Sequence, residues 1–222
     1  MSATAPIKAV IFDMDGVLTD SQGLHVLAEI ETTAHFGMPM TKEELEKEAG
    51  RPDRMGMQDL VIRHGKSFHL VDEMMRYKYD VAMPRILASE GLPAIPGAIE
   101  VVKTLAKKYP CAVASSSPHT FITFALGKIG LLDFLSVRIS IDDLPEGRGK
   151  PNPDIFLFAA KTLGVDPKQC AVIEDAAHGV AAAKAAGMFC IGLQSPHSGE
   201  QDLTAADVVI SDMKEITNII NK

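Results

Sequence analysis

The second half of the chain alternates short apolar runs with longer segments of helical periodicity, and this alternation constrains the fold more than any other feature. Four segments between residues 97 and 188 space their apolar residues as helices do, and two of them end at Gly164 and Gly187, residues typical of helix C-termini. The strand-like runs are AVIF, CAVASS, VRISI, AVIED, CIGL and DVVIS, which begin at residues 9, 111, 137, 171, 190 and 207. Strands that alternate with helices predict an α/β fold with a Rossmann-like parallel sheet.

The interval between the first two runs is too long for a single crossover helix. From Asp15 to Cys111 it is roughly three times what a simple βαβ unit needs. The residues between them show helical patterns and almost no strand signal, and Thr41 and Glu44 have the spacing of a capping box. We therefore predict a core domain of residues 1–19 and 93–222, with a small α-helical domain inserted at residues 20–92.

Composition excludes several classes of protein. A hydrophobic content of 46% over 222 residues is enough for a substantial core, and a formal net charge of −7 gives no basic surplus for binding nucleic acid. No signal-peptide pattern or apolar run of membrane-spanning length is present, so we expect a cytoplasmic protein without membrane contact. We also expect a monomer. The three cysteines fit no zinc-binding spacing and are predicted to be buried thiols.

Polar residues follow the apolar runs at the points where the strands should end. They are Asp13, Asp15, Ser115, Ser116, Ser117, Glu174 and Asp175, with Lys150 in the loop GRGKPNPD after the third run. Ligands of an open parallel sheet bind outside the carboxyl ends of its strands. The sequence therefore predicts that these side chains share one edge of the sheet.

The chemistry of this set indicates a phosphoryl group beside a metal ion. Carboxylates gathered in one crevice repel each other unless a cation keeps them ionised. Oxygen ligands with no His or Cys nearby suit Mg²⁺. Lys150, Ser115 and the backbone N–H groups at the start of the next helix are suitable donors to phosphate oxygens.

Asp13 and Asp15 are predicted to have different roles. Side chains two positions apart on a strand face the same side, but a turn at Gly16 can swing the second away from the first. Asp13 is then the expected nucleophile, which forms an aspartyl-phosphate. Asp15 is expected to protonate the leaving oxygen and afterwards to activate water. We also place Gly16, Ser116 and Ser117 among the substrate-binding residues.

Four motifs in order resemble those of the haloacid dehalogenase superfamily, in its branch with a helical cap inserted after the first motif. The motifs are FDMDGVLTDS, VASSSP, GKPNPD and VIEDAAHGV. In pattern the chain is similar to sugar-phosphate phosphatases, including those acting on 2-deoxyglucose 6-phosphate, and to β-phosphoglucomutases. The resemblance implies that Asp13, the backbone carbonyl of Asp15 and Asp175 hold Mg²⁺ with help from Glu174, and that Ser115 and Lys150 anchor phosphate. Glu174 could instead only orient its neighbours.

The same resemblance suggests substrate contacts from the inserted domain. His25 stands where many members have a histidine facing the site, although a structural histidine is the alternative. Arg51 and Arg54, in GRPDRM, resemble the cap's specificity loop, and the sequence does not decide between them. Lys78 is a further candidate, with a surface lysine as the alternative.

Together these features predict a Mg²⁺-dependent phosphatase that acts on a small phosphate ester, most simply a sugar phosphate. The alternative is a β-phosphoglucomutase, but Pro118 and His119 stand where a mutase-like chain tends to present lysine and asparagine. Dehalogenation and phosphonoacetaldehyde hydrolysis are disfavoured by Asp15. A catalytically silent binding protein is a remote alternative, because such a relative would be expected to have lost one of the catalytic residues.

Overall fold

The computed structural model describes residues 5–47, 53–195 and 200–221, and it divides the chain into two compact units. One unit comprises the chain up to Asp20 and from Pro93 onward. The other unit is Ser21–Leu92. No helix in the described part of the chain combines the length and the apolar character of a membrane span.

The first unit is built on a six-stranded sheet. Its strands are β1 (Ala9–Phe12), β2 (Cys111–Ser115), β3 (Val137–Ser140), β4 (Cys170–Glu174), β5 (Phe189–Leu193) and β6 (Val208–Ile210). They lie in the order β3-β2-β1-β4-β5-β6, and every neighbouring pair is parallel. The predicted α/β fold with a parallel sheet is confirmed.

The Ser21–Leu92 unit is helical in its described part. Its helices are α1 (Gln22–His35), α2 (Lys42–Glu46), α3 (Asp53–Arg63), α4 (Leu70–Tyr77) and α5 (Met83–Glu90). The predicted capping box is present: the Glu44 N–H donates to Thr41 Oγ1 at 3.3 Å, and the Thr41 N–H donates to Glu44 Oε2 at 2.8 Å. Apolar side chains from α3 and α4 pack together in a core that includes Met57, Leu60 and Met74.

Between α4 and α5 the helix widens into a π-helical stretch, Lys78–Ala82. The chain does not continue here as a regular α-helix, and proline explains why. Pro84 lies in the first turn of α5 and has no N–H to donate, and a proline ring inside an α-helix clashes with the carbonyl of the preceding turn. A wider turn, in which the Met83 N–H donates to the Lys78 carbonyl, accommodates it.

Five further α-helices belong to the described part of the α/β unit. They are α6 (Ala98–Leu105), α7 (His119–Lys128), α8 (Asp154–Leu163), α9 (Ala177–Ala185) and α10 (Glu215–Ile220). Every residue of β1, β2, β4 and β5 is buried, as expected for strands covered on both faces of a parallel sheet. The three cysteines are buried, as predicted, and burial raises the pKa of the Cys111 thiol to about 12.

Candidate active site

Lys150 joins the carboxyl ends of three central strands. Its Nζ contacts Asp13 Oδ1, just after β1, and donates to Glu174 Oε1, at the end of β4, at 2.6 Å. It also donates to the Ala114 carbonyl in β2 at 3.2 Å. Lys150 and Asp13 are each 6% exposed, so this ion pair is buried. The predicted residues Asp13, Lys150 and Glu174 therefore meet at one point.

Glu174 uses both of its carboxylate oxygens. While Oε1 accepts from Lys150, Oε2 accepts from the backbone N–H groups of Asp175 at 2.9 Å and Ala176 at 3.0 Å. Glu174 thus holds both the Lys150 side chain and the start of the loop that leads into α9. This is the orienting role that the sequence leaves open.

Asp13, Glu174 and Asp175 form a buried acidic cluster. One oxygen from each lies within 4.8 Å of the others. Burial is the largest influence on Asp13 and raises its pKa; Lys150 opposes this shift, whereas the neighbouring carboxylates Glu174, Asp175 and Asp15 add to it. Four carboxylates with one lysine leave an excess of negative charge. A hard divalent cation that binds oxygen ligands fits this donor set, because it would offset that charge.

Asp15 has partners different from those of Asp13. Its Oδ2 accepts hydrogen bonds from Ser115 Oγ at 3.2 Å and from Ser117 Oγ at 3.0 Å. The turn that makes this possible passes through Gly16, whose φ of 87° favours glycine, and the Gly16 N–H donates to the Thr19 carbonyl at 2.8 Å. The first carboxylate contacts Lys150, and the second accepts from serines at the end of β2 and just after it.

Ser115, Ser116 and Ser117 occupy different environments. Ser115 and Ser117 are buried, and the Ser117 N–H donates to Ser115 Oγ at 3.0 Å, which closes the loop between them. Ser116 is half-buried. The loop is therefore folded around two of the three predicted hydroxyls, both of which hold Asp15.

Residues at the end of β3 and just after it support this serine loop, although they are not among the predicted site residues. Ser140 Oγ donates to the Ser117 carbonyl at 2.8 Å, and the Ser140 N–H donates to Asp143 Oδ2 at 2.9 Å. The same Asp143 oxygen lies 2.9 Å from His119 Nε2. The sequence carries a signal for them, because Ser140 lies near the end of the run VRISI and Asp143 follows it, and the carboxyl end of this strand belongs to the same sheet edge.

Lys78 is buried within the helical unit, so the alternative of a surface lysine is wrong. Its Nζ donates to Glu29 Oε1 at 2.8 Å and to Asp53 Oδ2 at 2.5 Å, and the Tyr79 hydroxyl donates to the same Asp53 oxygen at 2.7 Å. Burial alone would lower the pKa of Lys78, but the two carboxylates outweigh it and raise that pKa. The His25 ring is also buried and lies edge-on to Tyr79, with 6.1 Å between ring centroids.

Of the two predicted arginines of the helical unit, one lies among the described residues. Arg54, near the start of α3, forms an ion pair with Asp72 in α4, with 2.6 Å between Nη2 and Oδ1. Arg51 lies outside the described residues. The predicted contacts of His25, Arg51, Arg54 and Lys78 with substrate stay predictions.

Comparison with known proteins agrees with this arrangement. The chain is 35% identical over 218 residues to validoxylamine A 7'-phosphate phosphatase of Streptomyces hygroscopicus subsp. limoneus, covering 94% of this chain and 95% of that protein. It is 30% identical over 218 residues to the β-phosphoglucomutase of Bacillus subtilis, covering 95% of this chain and 92% of that protein.

A solved structure shares the fold. The crystal structure of CbbY from Rhodobacter sphaeroides in complex with phosphate superposes with a TM-score of 0.83 at 23% identity, covering 97% of this chain and all of that one. A family model described as haloacid dehalogenase-like hydrolase matches residues 7–187. The predicted resemblance is confirmed, and the chain belongs to the haloacid dehalogenase-like hydrolase family.

Proposed function

We propose that this hydrolase releases phosphate from a small sugar phosphate, with Mg²⁺ and through an aspartyl-phosphate on Asp13. The observation that carries the proposal is the separation of the two aspartates. Asp13 lies against Lys150 in a buried acidic cluster, whereas Asp15 is held two residues later by two serine hydroxyls. One carboxylate can act as nucleophile while the other transfers protons.

The cation would be held by Asp13, Asp175 and the backbone carbonyl of Asp15, with a carboxylate oxygen of Glu174 in the same cluster as Asp13 and Asp175. When bound, Mg²⁺ would offset the charge of the carboxylates and of the transferring phosphoryl group. Lys150 contributes a second positive charge on Asp13 Oδ1. Both influences favour the ionised form of Asp13, which nucleophilic attack requires.

Two steps follow from these positions. Asp13 attacks phosphorus and forms a new P–O bond as the bond to the ester oxygen breaks, and Asp15 gives its proton to that leaving oxygen. Asp15, now a carboxylate, then takes a proton from water, whose oxygen forms a bond to phosphorus as the bond between phosphorus and the Asp13 carboxylate oxygen breaks. Inorganic phosphate leaves, and both aspartates return to their starting states. Ser115 and Ser117, which hold Asp15 here, would be positioned to donate to phosphate oxygens when Asp15 moves.

We also propose that the helical unit supplies substrate contacts, from His25, Arg54, Lys78 or Arg51. Lys78 would act as part of a charged group with Glu29 and Asp53 and not as an isolated cation. The partly exposed carboxylates of this group offer acceptors, which suits hydroxyl groups of a sugar.

The second candidate function is a phosphomutase, because the chain is also 30% identical to a β-phosphoglucomutase. Two observations favour the phosphatase: the identity to a phosphatase is higher, and Pro118 and His119 replace donors expected of a mutase. The His119 Nε2 is held by Asp143. Fewer donors on the transferring phosphate should leave the phosphoenzyme more open to water.

One incubation separates the two functions. We expect a panel of sugar phosphates with Mg²⁺ to include substrates that release inorganic phosphate. β-Glucose 1-phosphate with a trace of glucose 1,6-bisphosphate should not be isomerised faster than it is hydrolysed, as followed by glucose 6-phosphate and free phosphate together. Rapid isomerisation with little phosphate would establish the mutase. A panel without any hydrolysis or isomerisation would contradict both and support a silent binding protein.

Removal of the metal should abolish turnover reversibly. EDTA is expected to stop phosphate release, and excess Mg²⁺ to restore it, because the acidic cluster needs a cation. Independently of activity, Mg²⁺ should raise the melting temperature, since a ligand at a hundred times its Kd stabilises the folded state by about 2.7 kcal/mol. The Asp175→Asn variant should lose this shift. Full activity in EDTA, or an equal Mg²⁺ shift in the variant, would contradict the metal site.

A further inference from the structure

We propose that Gly179 is a positioning residue of the active site. The absence of a side chain at this position gives the Glu174 carboxylate its place, and Glu174 in turn places Lys150 and the start of α9. Its expected effect on activity rests on the proposed function, whereas its expected effect on stability rests on the geometry alone. Gly179 lies in the first turn of α9, in the motif VIEDAAHGV.

The space beside Gly179 is filled by Glu174. A Cβ atom added at Gly179 would lie 1.7 Å from Glu174 Oε1, 1.9 Å from Cδ and 2.4 Å from Oε2. Such atoms essentially never approach within 3.0 Å in proteins. Even alanine, the smallest substitution that adds a Cβ, therefore requires the carboxylate or the helix to move.

Backbone conformation does not explain the glycine. Gly179 is absent from the described glycines with positive φ, so its helical backbone is open to alanine, which a helix normally prefers. The requirement comes from the neighbouring side chain and not from the local chain. Gly127 in α7 provides the contrast, because a Cβ there would meet nothing within 4 Å.

Glu174 has little freedom to yield. It is 1% exposed, its backbone is paired in β4, and its two oxygens accept three hydrogen bonds from Lys150, Asp175 and Ala176. Displacement of the carboxylate would break at least some of these bonds. Lys150 would then lose one of its two carboxylate partners, and Asp175 would lose the bond that fixes its backbone next to the acidic cluster.

The first test compares Gly179→Ala with Gly127→Ala. The Gly127 variant should keep its melting temperature or gain, and should retain kcat and the Mg²⁺-induced thermal shift. The Gly179 variant should have a lower melting temperature and should require more Mg²⁺ for the same thermal shift. Its kcat should fall by a larger factor than its KM rises. Groups that orient metal ligands typically contribute about 10- to 100-fold to metal affinity or activity, and we expect a loss in that range. Equal behaviour of the two variants would overturn the proposal.

The second test is a double-mutant cycle with Glu174→Ala. Once the carboxylate is gone, Gly179→Ala should no longer lower the melting temperature, because the atoms it would meet are missing. If Gly179→Ala alone does not fold, recovery of folding in the double variant is the same result. A loss of equal size with and without Glu174 would show that the added methyl group clashes elsewhere and would overturn the proposal. Melting needs no substrate, so this result is independent of whether the proposed phosphatase activity is found.

Discussion

Replacing Asp13 with asparagine is expected to abolish phosphate release while leaving the protein folded. The amide is close in size to the carboxylate, and its oxygen can still accept from Lys150. It is not a nucleophile, so the aspartyl-phosphate cannot form. Loss of the serine nucleophile of a protease lowers kcat by about 10⁶-fold, and we expect a loss of at least about 10⁴-fold here.

The measurement is phosphate release under saturating Mg²⁺, together with acid quenching of labelled substrate to detect phosphoenzyme. Wild type should retain label on the protein during turnover, and the Asp13→Asn variant should not. Asp133→Asn, at an exposed position of the same unit, is the matched control and should behave as wild type. Undiminished hydrolysis in the Asp13 variant would rule out Asp13 as the nucleophile.

The sequence predicts where the strands lie, but two strands end one residue earlier than predicted because polar side chains compete for backbone hydrogen bonds. The run CAVASS predicts that the second strand includes Ser116, but the strand ends at Ser115. There the Ser115 hydroxyl accepts a hydrogen bond from the Ser117 N–H, and the chain turns. The run AVIED predicts that the fourth strand includes Asp175, but the strand ends at Glu174, whose carboxylate accepts a hydrogen bond from the Asp175 N–H. In both cases a side chain replaces the neighbouring strand as hydrogen-bond partner, and hydrophobic patterns carry no information on that competition.

Contacts between distant residues account for what the sequence could not provide. Lys78 reads as an ordinary polar position of a helix, because its partners lie 49 positions away at Glu29 and 25 away at Asp53. Gly179 similarly reads as one more small residue in an alanine-rich helix, until the position of the Glu174 carboxylate is known. Periodicity along one segment indicates which face is apolar, but not which charge on another segment will meet it.

The second large effect is expected at Lys150, where methionine should destabilise the protein as well as inactivate it. Burial works against the charge of Lys150, but Asp13 and Glu174 outweigh it and raise its pKa. Methionine fills similar space without charge and leaves two buried carboxylates facing each other. Removing one partner of a buried ion pair costs about 3–5 kcal/mol in free energy of unfolding. Lys161→Met, on the exposed side of α8, is the control and should cost little.

The pH dependence of this loss identifies its cause. The pKa of Asp13 is already raised above its usual 3.8 by burial, and loss of Lys150 should raise it further. A carboxyl group whose pKa is higher in the folded state stabilises that state below its unfolded pKa, and this contribution disappears as pH rises through the folded-state pKa. The deficit of Lys150→Met, measured by urea unfolding in EDTA, should therefore be smallest near about pH 4 and grow towards about pH 7.

Mg²⁺ at the higher pH should recover part of the lost stability by supplying the missing positive charge. A deficit that is constant across this range and unaffected by Mg²⁺ would mean that Lys150 stabilises the protein by packing its carbon chain, for example against Phe156, whose ring centroid lies 5.0 Å from Nζ.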